Sequence, residues 1–156
     1  MDVTELADIL VTQGKTVSVA EADTCGLIGY MLGSVPGASR YFPGGVIAYG
    51  GGTKEHILGV PEDLYGTYGS VSEEMAIAMA KGVRELICTD FAVSVTGVTG
   101  PGPGSGPSPI GTFFIGLSVK GGTDQAIEIH ADGDRDATKR VAAQEALDLL
   151  GRHLKG

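Results

Sequence analysis

Basic residues are scarce in this chain. Eleven Lys and Arg stand against nineteen Asp and Glu in 156 residues, a formal net charge of −8. A general nucleic-acid binder needs a basic face to neutralise phosphate, so this balance argues against one while leaving room for a small local anion site. Cysteine is almost missing: Cys25 and Cys88 are too few for a disulfide framework, and no metal-type spacing surrounds them. No apolar run is long enough to span a membrane. The start, Met1-Asp2-Val3-Thr4-Glu5, lacks the basic stretch and apolar core of a signal peptide. The chain therefore reads as cytoplasmic, with no membrane partner. Repeats and long linkers are also lacking, and the length suits a single domain over residues 1–156 with a core that needs no staples.

What the chain does have is glycine, 26 residues of it, concentrated at Gly44–Gly52 and Gly97–Gly111 and so marking loops. The stretch Val17–Leu32 begins as a β-branched alternating run and ends with helical spacing. A polar elbow, Glu21-Ala22-Asp23-Thr24-Cys25-Gly26, joins the two parts. Such elbows at the carboxyl ends of strands point free N–H groups at a ligand. Around it, Val3, Leu6, Ala7 and Leu10 predict a helix ending at Gly14. Strands are expected at Thr16–Ala20, Val46–Tyr49, Phe91–Thr96, Thr112–Val119 and Gln125–Ile129, and helices over about Thr24–Leu32, Thr53–Leu58, Ser70–Ile87 and from Asp134 or Asp136 to Leu154. Ser70-Val71-Ser72-Glu73 matches a capping box. Helix-separated strands followed by a hairpin predict an α/β fold, a three-layer α/β/α sandwich with a mixed sheet of about five or six strands.

Four groups carry chemistry, and each has a plainer reading. In the elbow, Ala22 offers no nucleophilic atom and Thr24 is most simply a helix cap. Cys25 is either a packed small residue or a thiolate favoured by the helix end, and Asp23 reads as a cap or first-turn acid. Tyr49 and Lys54 flank Gly50-Gly51-Gly52 and could converge on a pocket. Taken alone, Lys54 reads as a solvated charge, and His56, His130 and His153 as surface residues. The Gly97–Pro109 loop is neither a Walker loop nor a dinucleotide fingerprint, and reads equally as a binding loop or a crossover. Arg135, Lys139 and Arg140, at a helix start, read either as a solvated basic face or as an anion contact, which a chain this acidic favours.

The ordered set of motifs resembles the CinA C-terminal domain family, whose active members are nicotinamide-nucleotide amidases. The resemblance runs from about Leu6 to Leu150. It rests on Ala20-Glu21, Gly26, Pro36–Tyr49 with Lys54, Gly59-Val60, Gly69–Glu73, Gly97-Val98-Thr99-Gly100-Pro101, Pro109–Thr112 and Gly133–Asp136. It implies an α/β/α fold that often assembles into dimers, so a homodimer or larger homo-oligomer is expected. It also implies a small-molecule pyridine nucleotide as partner, no metal and no other cofactor. Active relatives carry an elbow like Ala-Glu-Ser-x-Thr-Gly-Gly, whose Ser is the nucleophile, activated by the Lys matching Lys54 with the Tyr matching Tyr49 nearby. Aligned on Ala20-Glu21 and Thr24, that Ser falls on Ala22, so an acyl-enzyme route would need Thr24 or Cys25 instead. The resemblance places ligand contacts at Glu21, Gly26, Gly97, Thr99, Gly100, Arg135 and Arg140.

Overall fold

The computed structural model describes all residues, Met1–Gly156. Its first helix, α1 (Val3–Gln13), is capped by the Asp2 carboxylate, which accepts from the Thr4 N–H. It ends at Gly14, whose left-handed φ of +62° returns its N–H to the Leu10 and Val11 carbonyls, the usual way a glycine closes a helix. Next come β1 (Val17–Glu21), α2 (Leu27–Gly33), a 3-10 turn (Ala38–Arg40), β2 (Gly44–Ile47), α3 (Gly51–His56) and α4 (Glu62–Tyr68). They are followed by α5 (Glu73–Ile87), β3 (Phe91–Gly97), β4 (Thr112–Val119), β5 (Gln125–His130) and α6 (Arg135–Lys155).

The five strands form one sheet in the order β2-β1-β3-β4-β5. β1 runs parallel to both of its neighbours, with Val19 opposite Gly45 on one side and Val93 on the other. The β3–β4 and β4–β5 pairs are antiparallel. Side chains alternate across a strand, and here the alternation sorts them by size. Phe91, Val93 and Val95, with Phe113, Ile115 and Leu117, join α1, α2 and α6 in a core of 21 buried residues. The other face carries Ser18, Ala20, Ala92, Ser94 and Gly116, and small residues let α5 lie close. The Ser94 hydroxyl reaches the Ala76 carbonyl at 2.5 Å, while Met75, Met79 and Val83 fill the smaller core beside Ala20 and Ala92. The result is the expected three-layer sandwich with a mixed sheet.

Element boundaries differ from expectation where backbone geometry intervenes. α2 starts at Leu27 because Cys25 and Gly26 take left-handed φ values of +50° and +96°, which no helical turn accommodates. The strand expected at Val46–Tyr49 lies two residues earlier, set by pairing with β1. α4 was not expected at all; its Gly66 and three-residue spacing of Tyr65 and Tyr68 give little apolar periodicity, and none of its residues is buried. α5 begins at Glu73, with Ser72 rather than Ser70 as its cap, the Ser72 Oγ accepting from the Met75 N–H. No helix is long and apolar enough to cross a membrane.

This topology gathers chain segments at one end of the sheet. The carboxyl ends of parallel β1, β2 and β3 lie there, with the start of antiparallel β4 and the end of β5. The connection leaving β1 packs α2 on one face, and that leading into β3 packs α5 on the other. In open α/β sheets, the place where connections diverge from neighbouring strands is the usual ligand position, here called the crevice.

Candidate functional site

The crevice is built from four strand exits. Ala22 extends β1 by one step, its N–H donating to the Val95 carbonyl at 3.0 Å. It is buried among Ala20, Ala48, Leu58 and Val60, on the α5 side of the sheet. The next residue, Asp23, reaches across to β3, where its carboxylate accepts the Gly97 N–H at 2.8 Å. Burial pushes the Asp23 carboxyl above its ordinary range. The Gly97 N–H and the charges of Lys54, Lys139 and Arg135 pull the other way without overcoming it. Asp23 thus ties two strand ends together and does not cap α2.

Lys54 corrects the reading of a solvated charge: it is 2% exposed. α3 carries it inward, and its Nζ donates to the Ser70 Oγ at 2.6 Å. Burial pushes the Lys54 amine below its ordinary range, and the Asp23 charge opposes that shift without cancelling it. Its uncharged form, the one able to act as a base, is therefore easier to reach than in a solvated lysine.

Arg135, the first residue of α6, bridges the segments that leave β2 and β3. It donates to the Thr99 hydroxyl at 2.5 Å, to the Gly100 carbonyl at 2.8 Å and to the Tyr49 hydroxyl at 2.8 Å. The Thr138 hydroxyl adds a bond to the Thr99 carbonyl at 3.3 Å. These contacts fasten the first residues of the glycine-rich loop to α6 and to the exit of β2. Tyr49 is half exposed, and its hydroxyl is hydrogen-bonded to Arg135.

The structure thus brings Ala22, Asp23, Tyr49, Lys54, Gly97, Thr99, Gly100 and Arg135 to one end of the sheet. Other named residues serve elsewhere. Glu21 is 1% exposed, and its carboxylate accepts the Ile28 and Gly29 N–H groups at 2.9 Å each, closing the start of α2. Those N–H groups are therefore not free to meet a ligand. Thr24 is not a cap: its Oγ1 is enclosed with no hydrogen-bond partner. Cys25 is exposed rather than packed, and Gly26 supplies the left-handed step before α2. Arg140 faces outward and pairs with Asp136 at 2.7 Å. It lines a groove of about 550 Å³ between α2 and α6, away from the crevice.

Ser70 is the member that sequence reading missed, because the capping-box pattern gave it another role. Its carbonyl accepts the buried Thr96 hydroxyl at 2.6 Å, which pins the turn before α5 to the end of β3. Ser70 also borders a cavity of about 210 Å³ with Tyr65, Tyr68, Val98, Ser105 and Gly106. No three His, Cys, Asp or Glu side chains stand close enough together to hold a metal ion.

Sheet order and crevice define an α/β protein with a polar, partly buried site at the carboxyl end of a mixed sheet. A family model described as the CinA C-terminal domain matches residues 3–154, and the chain belongs to that family. It is 44% identical over 150 residues to a CinA-like protein of Gloeobacter violaceus, covering 95% of this chain and 35% of that protein. A CinA-like protein of Myxococcus xanthus is 42% identical over 141 residues, covering 90% and 34%. The chain thus spans about a third of the length of the curated relatives it matches. Among solved structures, the competence/damage inducible protein CihA from Agrobacterium tumefaciens superposes with a TM-score of 0.90 at 32% identity, covering 100% of this chain and 97% of that one. A CinA superfamily protein from Klebsiella pneumoniae superposes with a TM-score of 0.95 at 25% identity, covering 98% and 95%.

Proposed function

We propose that this chain is an amidohydrolase that acts on the carboxamide of a pyridine nucleotide, converting nicotinamide mononucleotide to nicotinate mononucleotide and ammonia. The observation that carries this reading is Lys54, a buried amine with a lowered pKa held against a hydroxyl in the crevice. A buried lysine of this kind is a base for activating a hydroxyl. Two further features support it. Arg135 and Lys139, whose charges both reach the Asp23 carboxylate, place two cations at the site, suited to a phosphorylated ligand. Tyr65 and Tyr68 wall a cavity with room for a flat ring.

Purified protein incubated with nicotinamide mononucleotide should release ammonia, and Lys54→Ala should slow that release about 10²–10⁴-fold, the usual contribution of a positioned base. A rate no higher than that of the Lys54→Ala protein would overturn the reading. A second reading, nucleotide binding without turnover, is favoured by Ala22, which stands where active relatives carry serine. Calorimetric heat on adding the nucleotide, without ammonia release, would select it.

A further inference from the structure

We propose that Ser70 is the nucleophile of this site, with Lys54 as its proton acceptor. The inference takes its substrate from the amidase reading, and its nucleophile from the geometry around Lys54.

The elbow offers two nucleophiles, Thr24 and Cys25, and neither is placed for the role. Ala22 has no reactive atom. The Thr24 hydroxyl is enclosed and touches no base. Cys25 is exposed, and no hydrogen bond reaches its sulfur. Lys54 Nζ instead meets the Ser70 hydroxyl at 2.6 Å. A nucleophile within hydrogen-bond reach of a base is the core of the recurring signature of an activated hydroxyl. The Thr96 hydroxyl fixes the turn that presents Ser70 by donating to its carbonyl.

Ser70 also meets a requirement that Thr24 does not. Its hydroxyl meets the buried amine, and the residue lines the 210 Å³ cavity, where a substrate carbonyl can arrive. Ser105 and Gly106 line that cavity, and their N–H groups make no hydrogen bond within the chain. They are donors available to an oxyanion formed there.

The chemistry balances with water as the sole co-reactant. Uncharged Lys54 takes the Ser70 hydroxyl proton as Oγ bonds to the carboxamide carbon. The carbon–nitrogen bond breaks, and Lys54 returns its proton to the departing nitrogen, which leaves as ammonia. The remaining ester is cleaved by water: Lys54 takes a water proton, the hydroxide forms the new carbon–oxygen bond, and Ser70 Oγ regains a proton as the acid departs.

The test uses two independent readouts on the whole chain. The first is labelling of wild-type protein with a fluorophosphonate and mapping of the modified peptide. Label on Ser70, slowed at least tenfold by Lys54→Ala, supports the pairing; label elsewhere, or none, overturns it. The second is ammonia release from nicotinamide mononucleotide by Ser70→Ala, with its melting temperature as the control for folding. A loss of about 10³-fold or more supports the nucleophile. Unchanged release would overturn Ser70 while leaving the amidase reading in place. Lys54-dependent labelling of Ser70 without ammonia release would support the nucleophile and remove the substrate.

Discussion

Lys54, buried, and Asp23, half-buried, are titratable groups of opposite sign, and the charge of each opposes the shift that burial imposes on the other. Removing the Asp23 charge takes away the interaction that raises the Lys54 pKa and leaves burial, which lowers it, unopposed. A reaction that needs uncharged Lys54 speeds up as pH rises through the Lys54 pKa. In Asp23→Asn that limb should therefore lie at lower pH than in wild type, while the amide oxygen still accepts from Gly97. A pH profile of kcat/KM for ammonia release checks the direction; a shift to higher pH would mean that Asp23 acts in some other way. Thr24 offers a simpler experiment. Its enclosed hydroxyl has no partner, and an unsatisfied buried polar group costs about 1–3 kcal/mol. Thr24→Val should leave the melting temperature unchanged or raise it. A marked fall would show that the hydroxyl has a partner after all.

At the scale of elements, the close seating of α5 on the sheet depends on small side chains. A Cβ at Gly116 would strike the Ala76 carbonyl and the Ser94 hydroxyl, and one at Gly82 would strike the Leu58 carbonyl. Backbone cannot give way as a side-chain tip can. Gly116→Ala should therefore cost about 1–3 kcal/mol, measured by urea unfolding, and a neutral result would refute the close contact. Thr96→Val tests the hold of β3 on the turn before α5. It strips the Ser70 carbonyl of its donor and should lower kcat more than it raises KM. The elements themselves were largely legible in the sequence, because β-branched runs and helical periods report burial directly. The start of α2 was not, since Cys25 takes a left-handed φ that favours glycine. The burial of Lys54 was equally hidden. Local pattern makes a short helix with a lysine look solvated, and only the packing of α3 against a distant turn puts that amine in the interior. Ser70 was misread for the related reason that Ser72, two residues on, satisfies the helix end in its place.

At the scale of the molecule, β1 and β3 are held at both ends. Asp23 bridges them at the crevice, and Asp90 bridges them at the far end by accepting from the Thr16 N–H and hydroxyl at 3.0 Å each and from Lys15 at 3.3 Å. Burial pushes the Asp90 carboxyl up, but those donors outweigh it and hold the group below its ordinary value of 3.8. A carboxyl lowered on folding stabilises the native state above its unfolded pKa, and that contribution is lost as pH falls through the folded value. Asp90→Asn should therefore flatten the loss of stability below about pH 4, measured as melting temperature against pH. The polarity of the sheet has a further, practical consequence. All the proposed chemistry lies at one end, so the turn through Gly121 and Gly122 between β4 and β5 is remote from it, and the space where a Gly121 side chain would sit is open. That turn is the natural port for a reporter: a fluorescent domain spliced there would ride on the protein without obstructing the opposite end of the sheet.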